Sequence, residues 1–172
     1  MIRNNFWNDA ARCGAIIGGV SACCSLLGDS TGIGVFALVG FALHIWLLIR
    51  CTRRRATRCS TPDAEYGFGR RLGFIVATSL FVGIIDGAYA IVAGKMLFAA
   101  KYAAAAEQSF AMLADTGLYS KEMLATARHM IQSPACIAFS AVLGQLLFGA
   151  VFGLVIAALA QPYPQPFRDK EE

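Results

Sequence analysis

Residues 135–160 read ACIAFSAVLGQLLFGAVFGLVIAALA and contain no Asp, Glu, Lys or Arg. A helix of about 20 such residues crosses the roughly 30 Å hydrocarbon layer of a bilayer. Stretches 13–28, 30–49 and 72–94 repeat the pattern, with Asp86 as their one charged residue. Four apolar runs divided by charged connectors predict an all-α fold, an integral membrane four-helix bundle. The crossings are expected at about 10–28, 31–50, 70–95 and 134–160. Composition agrees, since charged residues make up 15% of the chain and apolar ones 57%, against about 25% charged in soluble domains. The 172 residues then form a single membrane domain, 1–172, with no length left for a separate soluble core.

Basic residues orient such a chain. Arg3, Arg12, Arg50, Arg53, Arg54, Arg55, Arg58, Arg70, Arg71, Arg168 and Lys170 would share one side of four crossings. The other side would hold the turn at Asp29–Ser30, which has no cation, and Lys95, Lys101, Lys121 and Arg128. Eleven against four predicts that both termini and a basic loop, 50–71, face the cytoplasm. The segment 96–133 is then extracytoplasmic. Val20-Ser21-Ala22-Cys23 fits a lipoprotein cleavage pattern, but apolar Leu26-Leu27 follow it, and Phe6-Trp7 and Asp9 before it suit an interfacial anchor. An uncut first helix is the expectation.

Local signals set the helix borders. Ser133-Pro134 reads as an N-cap with proline at the first helical position, where its missing N–H costs nothing. Pro162, Pro164 and Pro166 would end the last helix, and Thr61-Pro62-Asp63 predicts a short helix or turn before the third crossing. Trp46 and Tyr163 fall at expected interface depths. In 96–133 the stripe Phe98, Tyr102, Ala106, Phe110 and Leu113 has helical spacing, Gly117 interrupts it, and Ser120 can cap a second helix striped by Met123, Ala127, Met130 and Ile131. An amphipathic helical hairpin is expected there, on the membrane surface or over the bundle. Gly14 with Gly18, Gly83 with Gly87 and Gly149 with Gly153 put paired small residues on helix faces, which favours close packing inside the bundle over a dimer seam.

Chemistry-bearing residues are few. Asp86 stands among Gly83, Ile84, Ile85 and Gly87, and a carboxylate at mid-membrane costs about 2.5–3.5 kcal/mol, so it needs a partner or water. Ser79, Tyr89 and Gln145 are candidate structural partners. With Gln145 and His44, Asp86 forms the candidate intramembrane polar site. Metal or haem ligation at His44 would need further ligands, and the other histidine, His129, falls on the opposite side of the membrane, so a hydrogen-bonded structural role is expected. Six cysteines without a C-x-x-C give neither a zinc site nor a redox motif. Arg53, Arg54, Arg55 and Arg58 are candidate contacts to anionic lipid headgroups, at about 1 kcal/mol per cation. Nothing accompanies that charge to suggest nucleic acid, and no cofactor, nucleophile elbow, phosphate loop or paired carboxylate is expected.

Phe6-Trp7-Asn8-Asp9-Ala10-Ala11-Arg12 running into a glycine-rich crossing, Tyr66 to Phe74 (YGFGRRLGF) leading into the third, the long segment after it, Ser133-Pro134 and the Gly149/Gly153 pair occur in that order. The chain in this respect resembles the DUF4199 family of small four-helix membrane proteins from Bacteroidota. It departs from the pattern in lacking an early proline after Tyr89 and in its heavier arginine run. The resemblance implies a bacterial inner-membrane protein, carries no catalytic residues, and implies an accessory role beside polyprenyl-phosphate glycosyltransferases. The leading expectation is a non-enzymatic scaffold or anchoring subunit with a membrane protein partner or as a homo-oligomer. The rival is a small transporter or lipid-carrier handling protein using Asp86 in a polar cavity.

Overall fold

A computed structural model describes residues 5–60 and 66–161. Within them the chain is helical, with no strand: α1 Phe6–Thr31, α2 Val35–Cys59, α3 Phe68–Val92, α4 Ala99–Asp115, α5 Lys121–Ile131 and α6 Pro134–Leu159. A π-helical turn, Ala93–Leu97, continues α3 towards α4. Four of these elements, α1, α2, α3 with its π turn, and α6, are long and apolar enough to cross a membrane. Arg3, Thr61-Pro62-Asp63, the three terminal prolines, Tyr163, Arg168 and Lys170 lie outside the described residues.

Local chemistry explains the borders. The α1 helix stops at Gly32, whose φ of 71° is open to glycine and whose N–H returns to the Gly28 carbonyl at 2.9 Å. Ser133 caps α6 by accepting from the Cys136 N–H at 3.1 Å, with Pro134 in the first turn. Ser120 does the same for α5 through Met123 at 3.2 Å, after Gly117 turns the chain at φ 66°.

The α3 helix is central: it packs against α6 and α1, while α2 lies chiefly on α1. The paired glycines make this possible. A Cβ on Gly83 would lie 2.7 Å from the Val142 Cα, and one on Gly87 3.2 Å from the Ala138 Cα, so α3 and α6 meet nearly backbone to backbone. Gly149 and Gly153 face Ser79 and Ile75 of α3, and Gly14 and Gly18 face Phe81 and Ile85. All six glycines meet neighbouring helices of the same chain. Ile17, Leu48, Ile75, Val82 and Ile156 fill the seam between them. Outward, Leu38, Phe139, Val151 and Val155 stay exposed.

The basic stretch 50–71, expected as a loop, is largely helix: α2 runs through Arg53, Arg54, Arg55 and Arg58 to Cys59. Arginine is a good helix former, and side-chain anchors described below hold the added turns against α1, α3 and α6. At the other end, α3 does not pass smoothly into α4. The π turn and Phe98, at φ −130° and ψ 34°, break the helix.

Candidate functional site

That break builds a polar cluster. Tyr89 and Tyr102 are thirteen residues apart, which in an unbroken helix puts them about 20 Å apart along the axis. Instead both phenols donate to one Asp29 carboxylate oxygen, at 2.9 Å from Tyr89 and 2.8 Å from Tyr102. Lys101 completes the group, donating to the other Asp29 oxygen at 3.0 Å and to the Asp29 backbone carbonyl at 3.1 Å. Burial first, and then the hydrogen bond to the Asp29 carboxylate, push the Tyr102 phenol up to about 12. The last turns of α1, the end of α3 and the first turn of α4 are pinned together at this point.

The cluster forms the rim of a cleft of about 650 Å³. Its walls include Ser21 and Ser25 of α1, Ala37 of α2, Asp86 and Tyr89 of α3, and Tyr102 of α4. Asp86 is half-buried there and accepts from the Gln145 amide of α6 at 2.7 Å. Among the described residues no cation lies against it. Deeper in, a smaller cavity of about 230 Å³ shares Ser21, Cys24, Ser25 and Ala37 with the cleft and is lined by Gln145 and His44. His44 meets the edge of Phe148 at 4.9 Å, and neither its Nε2 nor the Gln145 Oε1 has a hydrogen-bond partner among the described residues. The expected polar site is therefore divided: Asp86 and Gln145 bond directly, and His44 joins them across a cavity. Of the other partners considered for Asp86, Tyr89 turns to Asp29, and Ser79 is buried against Gly149. No group of three potential metal ligands occurs among the described residues.

A family model described as "Protein of unknown function (DUF4199)" matches residues 12–161. The chain belongs to the DUF4199 family. No curated protein and no solved structure matches it. The matched stretch contains every residue lining the cleft and leaves out Phe6 and Asp9.

Those two residues matter at the opposite end of this DUF4199 protein, and they correct one expectation. Arg55, read as a headgroup contact, is 5% exposed and turned inward. Its guanidinium pairs with Asp9, donates to the Tyr66 hydroxyl at 3.1 Å, and lies over the rings of Phe6 and Phe74 at 5.2 and 5.1 Å. An arginine this far from water needs such partners, and lipid phosphate has no access to it. Arg53 reaches the Leu159 carbonyl at 3.0 Å and Arg71 the Ala160 carbonyl at 3.4 Å, so both sit at the negative end of the α6 dipole. Arg54 and Arg58 are exposed.

Sequence reasoning missed Asp29, Lys101 and Tyr102 as a site. Its signal was an acid in a turn without a nearby cation in sequence, and two tyrosines whose helix register forbids a meeting until the chain breaks between them.

Proposed function

We propose that this DUF4199 protein is a non-enzymatic, multi-pass protein of the bacterial inner membrane, with both termini cytoplasmic, that handles a lipid-type ligand in the cleft beside Asp86. One observation carries this reading: a carboxylate in the apolar third crossing lies on the wall of a cleft of about 650 Å³ with an amide against it and, among the described residues, no cation. The cost of keeping an acid at that depth is about 2.5–3.5 kcal/mol, which favours use over accident. The cleft volume falls within the about 300–1,000 Å³ range of small-ligand sites. Exposed Arg54 and Arg58 would hold the far end at anionic headgroups. Native mass spectrometry of protein released from lipid nanodiscs tests the reading: Asp86→Asn should shift the co-purifying lipid population, and an unchanged profile would remove it.

A second reading is favoured by a different surface. The α4–α5 hairpin leaves Met112, Leu118, Met123, Met130 and Ile131 exposed, with Leu118 at 80%. Such a face suits a scaffold or accessory subunit docking a membrane partner, a polyprenyl-phosphate glycosyltransferase or a second copy among them. Crosslinking in native membranes through Leu118→Cys should capture a discrete adduct; a lone monomer at all crosslinker lengths counts against docking.

A further inference from the structure

The polar cleft has an apolar neighbour. A second cavity, of about 430 Å³, shares Ala90 and Tyr102 with it and runs under the hairpin between α3, α4 and α6. Ala99, Ala103, Ala106 and Ile137 line it, with Lys95 and Gln132 as polar residues on its wall. The small side chains of α4 leave the space open, and Tyr102 lines both cavities with its hydroxyl on Asp29. Two adjoining cavities, one with carboxylates on its wall and one mainly apolar, match the two ends of an amphiphile.

Charge decides which amphiphile. The polar compartment has two carboxylates, Asp29 and Asp86, and one ammonium, Lys101, which is already held by Asp29. A phosphate monoester would bring more negative charge to an acidic wall, whereas a primary ammonium would supply Asp86 with a cation, which none of the described residues does. Tyr89 and Tyr102 stand near the ends of the long apolar helices, which in the proposed threading is the depth of lipid headgroups. We propose that the adjoining cavities bind a single amine-bearing phospholipid of the phosphatidylethanolamine type, its ammonium on Asp86 and an acyl chain beneath the hairpin. This assignment deepens the reading of the cleft as a ligand site and rests on it.

The test uses full-length protein in detergent, titrated with dihexanoyl phosphatidylethanolamine, dihexanoyl phosphatidylglycerol and free phosphoethanolamine, with binding read by native mass spectrometry. Phosphatidylethanolamine should bind at least about tenfold tighter than either alternative. Asp86→Asn should remove that headgroup preference, and Ala103→Leu, which fills the mainly apolar cavity, should cost about tenfold for the lipid and nothing for phosphoethanolamine. Variants are compared only where their thermal unfolding matches the wild type, and Ala106→Leu repeats the steric arm if Ala103→Leu does not fold. Equal or tighter binding of phosphatidylglycerol, still weakened by Ala103→Leu, overturns the amine assignment and keeps the cleft. Phosphoethanolamine binding as tightly as the lipid overturns the acyl-chain compartment. Indifference of all three ligands to both Asp86→Asn and Ala103→Leu would overturn the proposed function as well.

Discussion

Asp9 and Arg55 are bound to each other but differ in access to water: the Arg55 side chain is 5% exposed and that of Asp9 38%. Removing either partner should therefore have unequal effects. Asp9→Ala removes the carboxylate from a buried guanidinium, and breaking such a pair costs about 3–5 kcal/mol, reduced towards the lower value by the Tyr66 hydroxyl and the aromatic rings. Arg55→Met leaves a carboxylate that can be hydrated and an aromatic nest that accepts the thioether, so about 1–2 kcal/mol is expected. Equilibrium unfolding in mixed micelles measures both, and equal losses would contradict the inward placement of Arg55. The Tyr102 phenol makes a pH-dependent contribution of definite sign. Its folded value near 12, raised first by burial and then by the bond to Asp29, lies above the ordinary 10.0, so the protonated phenol supports the fold below pH 10 and that support is lost as pH rises through 12. The stability difference between wild type and Tyr102→Phe should therefore shrink across that window; a constant difference would contradict the placement of the phenol against Asp29.

Helix contacts are decided by which glycines have a neighbour. Gly83→Val places its Cβ 2.7 Å from the Val142 Cα, where no side-chain rotation gives relief. Overpacking of this kind costs about 1–3 kcal/mol. Gly144 has nothing within 4 Å of where a Cβ would sit, so Gly144→Ala should be neutral or gain up to about 1 kcal/mol from helix propensity. Thermal aggregation midpoints of the two variants test the pairing of α3 with α6, and a tolerated Gly83→Val would break it. The glycine pairs, the apolar runs and the Ser133 and Ser120 caps were legible because each is a local pattern. Two features were not. The added turns of α2 depend on Asp9, Leu159 and Tyr66, partners 46, 106 and 11 residues from Arg55 or Arg53, and no window along the chain contains such a set. The Asp29 cluster depends on a π turn whose residues, AGKML, carry no proline to announce a break. Asp86 with Gln145 was legible because polar residues in apolar helices are scarce enough to find each other.

At the scale of the whole molecule the two ends divide the labour. The end holding the start of α1, the end of α2, the start of α3 and the end of α6 uses Arg53, Arg55 and Arg71 internally and still exposes Arg12, Arg50, Arg54, Arg58 and Arg70. At the other end Lys101 and Arg128 are paired with Asp29 and Glu107, and the cleft opens there. Internal pairing thus takes cations from both ends without reversing the excess, and in the proposed threading that excess holds the arginine end in the cytoplasm. The cleft would then draw on the outer leaflet, so topology and ligand are one question. Leu118→Cys and Arg58→Cys, each in a background with the six native cysteines replaced, separate the alternatives, since Leu118 lies in the hairpin and Arg58 at the far end of α2. A membrane-impermeant maleimide added to intact spheroplasts should label the Leu118→Cys protein and spare the Arg58→Cys protein until the membrane is opened. The reverse pattern would turn the protein over and assign the cleft to inner-leaflet lipid, and labelling of both in intact cells would mean that the helices do not span at all.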